Sequence, residues 1–186
     1  MSLRPPGIGR EFLFERTNSP LLHPGAMPNP DAPWPHERIF DVEYRDVDVL
    51  GHLNHAAYFR YMETLRCEYY LRLKGESSIR DLDIIILEAT CRYLSPAPYG
   101  DRIVGEVVPA APLGTTSFTL LYRFRALPEG TERARGRTVI VAYDYRTGRK
   151  KPLEPSVREG LARDSRLVPD FLERSPGAHA PRLETL

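Results

Sequence analysis

Between residues 46 and 55 the chain places two aspartates, two histidines and an asparagine: Asp46, Asp48, His52, Asn54 and His55. They stand directly before a stretch of helical periodicity, so they gather at a helix N-terminus. The first backbone N–H groups there lack partners within the helix, and the peptide dipoles add positive potential. An oxyanion or a polarised carbonyl oxygen is stabilised at such a point without any side-chain charge. Asp48 lies upstream of Asn54, and Gly51 between them lets the chain bend back towards the helix end. A carboxylate beside an oxyanion site is a sufficient set of groups to hydrolyse an activated acyl group. The carboxylate activates water or attacks directly, and the amides hold the developing negative charge. His52 and Asn54 are placed to orient the water or the carbonyl. The same residue types also make an ordinary turn before a helix, with Asn54 as its N-cap. Spacing alone leaves both readings open. Asp48, His52 and His55 lack the compact spacing of a metal centre, so no metal is expected.

These residues must be held by the elements around them. Residues 37–45, "ERIFDVEYR", alternate apolar and polar and predict a strand. From Asn54 to about Lys74 the pattern is helical, with Gly75 as a natural stop. Tyr58, Met62, Leu65 and Tyr69 form one apolar stripe, and Ala56, Phe59, Glu63 and Tyr70 form a second beside it. Two stripes predict a helix covered over much of its circumference. Four strands follow: 83–94, 102–110, a run beginning at "TTSF" with Phe118, Leu120, Tyr122, Phe124 and Ala126 in strict alternation, and "ERARGRTVIVAYDY". Short turns such as "PLG" and "PEG" between consecutive strands predict antiparallel pairing. A short helix over "SVREGLARD" closes the order. One long helix against such a sheet is an α+β layer architecture in which the sheet wraps the helix.

Composition sets outer bounds. The chain has 186 residues, 27 % of them charged, and a formal net charge of +1, which demands neither nucleic acid nor a membrane surface. Cys67 and Cys91 have no CxxC or Cys/His spacing, so neither a zinc site nor a disulfide framework is indicated. No apolar run reaches the length of a membrane span, and no secretory signal pattern is visible, which makes the cytoplasm the default location. Eight of the 18 prolines fall in the first 36 residues. Residues 1–36 are therefore expected to be a flexible leader, residues 37–162 the folded domain, and residues 163–186 a loose tail.

The run "YRDVDVLGHLNHAAYFRYMETLR" resembles the opening motif of the hotdog-fold acyl-CoA thioesterases of the 4-hydroxybenzoyl-CoA thioesterase type. Their pattern is D-x-D-x-x-G-H-V-N-N-x-x-Y, followed by a helix carrying E-x-x-R. Asp46, Asp48, Gly51, His52, Asn54, Tyr58, Glu63 and Arg66 all fall on it. The likeness continues through "YLSPAPYGDRI", "TTSF" and "DYRTGRKKPL". The resemblance implies a single hotdog domain, a curved antiparallel sheet around a central helix. It also implies a homodimer or homotetramer with active sites at the subunit interface, and no cofactor. It places Asp48 at the family's catalytic aspartate, with His52 and Asn54 as orienting residues. His55 stands where the family has a second asparagine, so its imidazole faces the acyl pocket in place of an amide, near Tyr58. Thr116 and Ser117 match the family's position near the pantetheine arm, or are plain hydroxyls at a strand edge. Glu63 either pairs with Arg66 at i,i+3 or serves as the helix carboxylate that another hotdog branch uses.

Residues 121–151 carry nine basic side chains against three acids, an excess of six, with Arg133, Arg135 and Arg137 on one strand face. Such a surface suits CoA phosphates or an acidic acyl carrier protein, or is a solvated outer face. The expected activity is hydrolysis of an acyl-CoA thioester, with acyl carrier protein as a lesser alternative carrier. Two other classes remain. A hotdog dehydratase would use His52 and Glu63, although the chain lacks a "GDxNP" run and Asp48 would have no purpose. A non-catalytic acyl-CoA binder would not need the carboxylate that is present.

Overall fold

The computed structural model describes residues 34–167. Most of the expected leader and most of the expected tail lie outside the described residues. The strands are β1 (His36–Asp41), β2 (Ile84–Tyr93), β3 (Arg102–Ala110), β4 (Ser117–Leu127), β5 (Glu132–Asp144) and β6 (Arg149–Lys150); the helices are α1 (His55–Lys74) and α2 (Pro155–Asp164). The sheet is antiparallel, in the order β1-β3-β4-β5-β2, with β6 against β5. It curls around α1, the α+β architecture that the order of elements implied and the single hotdog domain that the resemblance implied.

Four expectations need correction. The first strand is shorter than 37–45: it ends at Asp41, and Tyr44–Asp46 form a 3-10 turn that carries the chain off the sheet edge. The folded part also begins earlier than residue 37, because Trp34 is buried with Val108 and Leu121. Consecutive strands pair from β3 to β5, but β2 does not pair with β3. It crosses to the far edge and pairs with β5. A bulge at Leu87 then re-phases β2, so that Ile84 and Ile86, followed by Ala89, Cys91 and Tyr93, share the face of the buried β5 residues. Finally, the second helical stripe is not covered. Ala56, Phe59 and Glu63 are exposed and only Tyr70 is buried, because the sheet does not close over that side of α1.

The helix has clean ends. Asn54 caps the start, and Gly75 ends it in the left-handed region at φ 74°, where its N–H reaches Arg72 and that of Glu76 reaches Leu71. Alternation in β4 buries Phe118, Leu120, Tyr122, Phe124 and Ala126 against the helix. Two sheet residues have no side chain where α1 comes closest. A Cβ on Gly105 would meet Leu65, Phe40 and Phe124 at 2.9, 2.9 and 3.0 Å, and one on Gly136 would collide with the Met62 sulfur. These two glycines therefore set how deeply the helix sits.

Polar clamps hold its C-terminal half. The Tyr69 hydroxyl donates to Asp164 of α2 at 2.9 Å, and the Tyr70 hydroxyl donates to Asp83 at 2.8 Å. Asp83 also lies 3.0 Å from the Lys74 ammonium and pairs with Lys151. Burial pushes the Asp83 carboxyl up, but Lys151, Tyr70 and Lys74 together outweigh it and hold it down at about 2.

Gly105→Ala is expected to destabilise the fold by roughly 1–3 kcal/mol, read as a lower urea midpoint, since three packed side chains must give way. Asp83→Asn should cost roughly 1–3 kcal/mol at neutral pH. Because the folded-state pKa lies below the unfolded one, this stabilisation is complete above about pH 4 and is lost as the pH falls through about 2. The difference in urea midpoint between wild type and Asp83→Asn should therefore shrink across that window.

Candidate active site

The segment between β1 and α1 is a tight hairpin-like loop. Val47 bridges Leu53, the Asp48 N–H donates to the His52 carbonyl at 2.9 Å, and Gly51 turns the chain at φ 75°. Leu53 is pinned to Ala97 and His52 bridges Pro98, so the loop leans on the segment after β2. Its two aspartates point to different surroundings. Asp46 is buried, accepting from Arg60 at 2.6 Å and from the Tyr61 hydroxyl at 3.1 Å, while its carbonyl accepts the Asn54 N–H at 2.8 Å. It anchors the loop to the first turns of α1. Asp48 instead lines an open cleft of about 350 Å3 with His55, Tyr58, Tyr93 and Ser95.

Asp48 is partly committed to its own loop. Its Oδ1 accepts from the N–H of Leu50 at 2.8 Å and of His52 at 3.4 Å. Oδ2 has no partner among the described residues. At the helix end, the Asn54 side chain accepts from the Ala56 N–H at 2.9 Å, and the Ala57 N–H donates to the Asn54 carbonyl. The N–H groups of Asn54, Ala56 and Ala57 are thus engaged, and among the described residues the His55 N–H is the one in this turn left without a partner. Of the amides expected as donors over Asn54 to Ala56, that one is open to a ligand.

Sequence reasoning missed three contributors. Tyr93, at the end of β2, lines the cleft and donates its hydroxyl to the His55 carbonyl at 3.2 Å. Its alternation with Cys91 was visible, but the bulge that sets its face was not. Arg60 and Tyr61 hold Asp46; their place within the first two turns of α1 was the available signal. Burial raises the phenols of Tyr58 and Tyr93, the latter to about 12, so both stay protonated as hydrogen-bond donors. Burial likewise pushes the Cys91 thiol up to about 11 and raises Cys67. Neither cysteine is a thiolate nucleophile at neutral pH.

The remaining predicted residues fall elsewhere. Glu63 lines a separate cleft further along α1, with Arg66 at 3.6 Å. Ser117 starts β4 and Thr116 immediately precedes it; Ser117 pairs with Val141, which pairs with Ile85, so they belong to the sheet end beside that second cleft. His52 lines neither cleft, and the histidine–carboxylate pair of a dehydratase, His52 with Glu63, is not assembled within the chain. The basic run is also largely neutralised. Arg123 and Arg125 clasp Glu106, Arg133 pairs with Asp101 and Glu129, Arg135 with Glu132, and Arg137 with Glu88. Three of those acids lie outside the 121–151 window, which is why the local count misled. Exposed cations concentrate instead at the β5–β6 tip, in Arg146, Arg149 and Lys150. Among the described residues no three His, Cys, Asp or Glu side chains converge as metal ligands, and no helix is long and apolar enough to cross a membrane.

Comparison with known proteins agrees with this geometry. A putative esterase of Aquifex aeolicus is 41 % identical over 64 residues, 32 % of this chain and 49 % of that protein, so the match spans about half of that relative's length. A thioesterase from Thermus thermophilus, solved with coenzyme A and Zn, superposes with a TM-score of 0.61 at 30 % identity, covering 69 % of this chain and 98 % of that one. A thioesterase-superfamily structure from Jannaschia sp. CCS1 shares the fold with a TM-score of 0.65 at 23 % identity, over 72 % of this chain and 85 % of that one. The sequence model of the thioesterase-like superfamily matches residues 42–161, from the loop before α1 to the end of the fold, and the chain belongs to that superfamily.

Proposed function

We propose that this protein hydrolyses the thioester bond of an acyl-CoA, with Asp48 as the catalytic carboxylate. The observation that carries the reading is the Asp48 cleft itself. A carboxylate with one free oxygen and an unpartnered amide at a helix N-terminus border the same space in a superfamily of thioesterases. Asp48 takes a proton from water as the water oxygen bonds to the thioester carbon. The carbonyl oxygen becomes the oxyanion, held by the His55 N–H. Collapse of this intermediate breaks the C–S bond, and the departing CoA thiolate takes the proton held by Asp48 to leave as the thiol, which returns Asp48 to the carboxylate. Tyr58 and Tyr93 present neutral hydroxyls to the cleft, His55 shapes its wall, and Asn54 keeps the helix end in place. The relative solved with coenzyme A supports CoA as carrier. The exposed cations Arg146, Arg149 and Lys150 at the β5–β6 tip supply a site for its phosphates.

The active unit is a dimer in the cytoplasm. β2 is a sheet edge with Ile86, Leu87 and Tyr93 exposed, and Phe59 lies exposed on the uncovered side of α1. An apolar edge of this kind pairs with a second copy. Light scattering is expected to give twice the 21.2 kDa chain mass.

Free-thiol release from a panel of short, long and aromatic acyl-CoAs tests the activity. Asp48→Asn should lower kcat by about a hundredfold or more while leaving the thermal melt in place. An unimpaired variant would remove Asp48 from the chemistry and make Glu63 the next carboxylate to examine. Preference for acyl carrier protein over CoA, measured with the same acyl group on both, would reassign the carrier.

A further inference from the structure

The second cleft contains a group that hydrolysis does not use. It encloses about 320 Å3 and is lined by Arg66, Glu63, Cys67, Ile79, Ile84 and Tyr145. Arg66 is only 9 % exposed, so folding has taken its guanidinium largely out of water. A buried charge is costly unless it is paired. Among the described residues Glu63 is its only carboxylate neighbour within 4 Å, at 3.6 Å and therefore beyond hydrogen-bond reach. The Glu63 side chain is 66 % exposed, so it is free to turn into water and stabilises Arg66 little. The Tyr122 hydroxyl and the Cys67 thiol lie near the guanidinium, and neither carries a counter-charge. A planar fork held among apolar walls matches a carboxylate arriving from the open side.

Within one chain this cleft and Asp48 are separate, but β2 connects them. Ile84 and Ile86 border the second cleft, and Tyr93 borders the Asp48 cleft. Antiparallel pairing of two free β2 edges about an axis between Glu88 and Ala89 would set Ile84 of one copy opposite Tyr93 of the other. The Asp48 cleft of each copy would then continue into the Arg66 cleft of its neighbour.

We propose that the acyl chain runs from Asp48 of one subunit into the second cleft of the other, where Arg66 of the partner subunit binds a carboxylate at the far end of the acyl group. The substrate class is then the CoA monothioester of a dicarboxylic acid. This rests on the thioesterase reading and on pairing through β2.

The test compares adipyl-CoA with hexanoyl-CoA, which differ only in the distal carboxylate. Wild type should show a kcat/KM at least about tenfold higher for adipyl-CoA. Arg66→Gln should abolish that ratio, and Arg66→Lys, which keeps the charge but loses the fork, should keep part of it. A general loss of activity cancels in the ratio. Co-expressed Asp48→Asn and Arg66→Gln subunits form mixed dimers with one intact composite site, and should recover about a quarter of the wild-type adipyl-CoA rate. Equal handling of both substrates by wild type, or a ratio unmoved by Arg66→Gln, overturns the assignment of Arg66. Absence of recovery in mixed dimers overturns its action across the interface. If neither substrate is hydrolysed, the wider acyl-CoA panel decides the thioesterase reading, and calorimetric binding of the same two compounds decides this inference. An adipyl-CoA preference lost in Arg66→Gln sustains it, and no preference overturns it.

Discussion

Everything in this molecule depends on how deeply α1 sits in the sheet. Ordinary packing keeps a helix and a sheet about 10 Å apart, and a side chain at either contact would push the helix outward. Gly105 under Leu65 and Gly136 under Met62 remove that obstacle at two neighbouring points. With the helix seated, the alternating aromatic and aliphatic residues of β4 fill the remaining space, and Phe40 stacks on Tyr61 with ring centres 4.2 Å apart. The helix axis is then fixed, and so is the place where its N-terminus emerges. The position of the Asp48 loop is a consequence of that placement: Asp46 ties the loop to Arg60 and Tyr61, and Asp48 is left facing the cleft.

Buried charge is handled with the same economy. Each buried carboxylate sits where a cation or a phenol meets it. Asp46 has Arg60 and Tyr61, Glu106 has Arg123 and Arg125, and Asp164 has Tyr69 and Arg163. These pairs join elements far apart in sequence: Tyr69 and Asp164 bring the two helices together, and Asp83 gathers the end of α1, the start of β2 and the segment after β6. Arg66 departs from the pattern, with a counter-charge that is both distant and free to leave.

How much of this was legible in the sequence follows from the range of the interactions involved. The helix from Asn54 to Gly75 was readable because its cap, its period and its stop are all local. The same holds for β4, whose alternation is unbroken. The position of β2 at the far edge was not readable, because nothing near residues 84–93 encodes its pairing with β5, and the bulge at Leu87 inverts the face that alternation predicts. In the site, the motif around Asp48 identified the loop. It did not distinguish the amide of His55 from those of Asn54 and Ala56, since that depends on which N–H the cap consumes. Glu63, Thr116 and Ser117 were grouped with Asp48 by family pattern, while a single chain holds them at the other end of the sheet.

The arginines of β4 and β5 have one more consequence. Paired with acids from four different parts of the chain, they leave the outer face of the sheet rich in charged groups and yet close to electrically silent. A polyanion approaching from afar responds to net potential and not to the number of ionic groups, so that broad face offers it no guidance. The gradient it follows comes from the small β5–β6 tip, beside Tyr145. Approach of a polyanion is thereby directed to one rim of the fold, and the speed of encounter is governed by a few side chains and by the ionic strength around them.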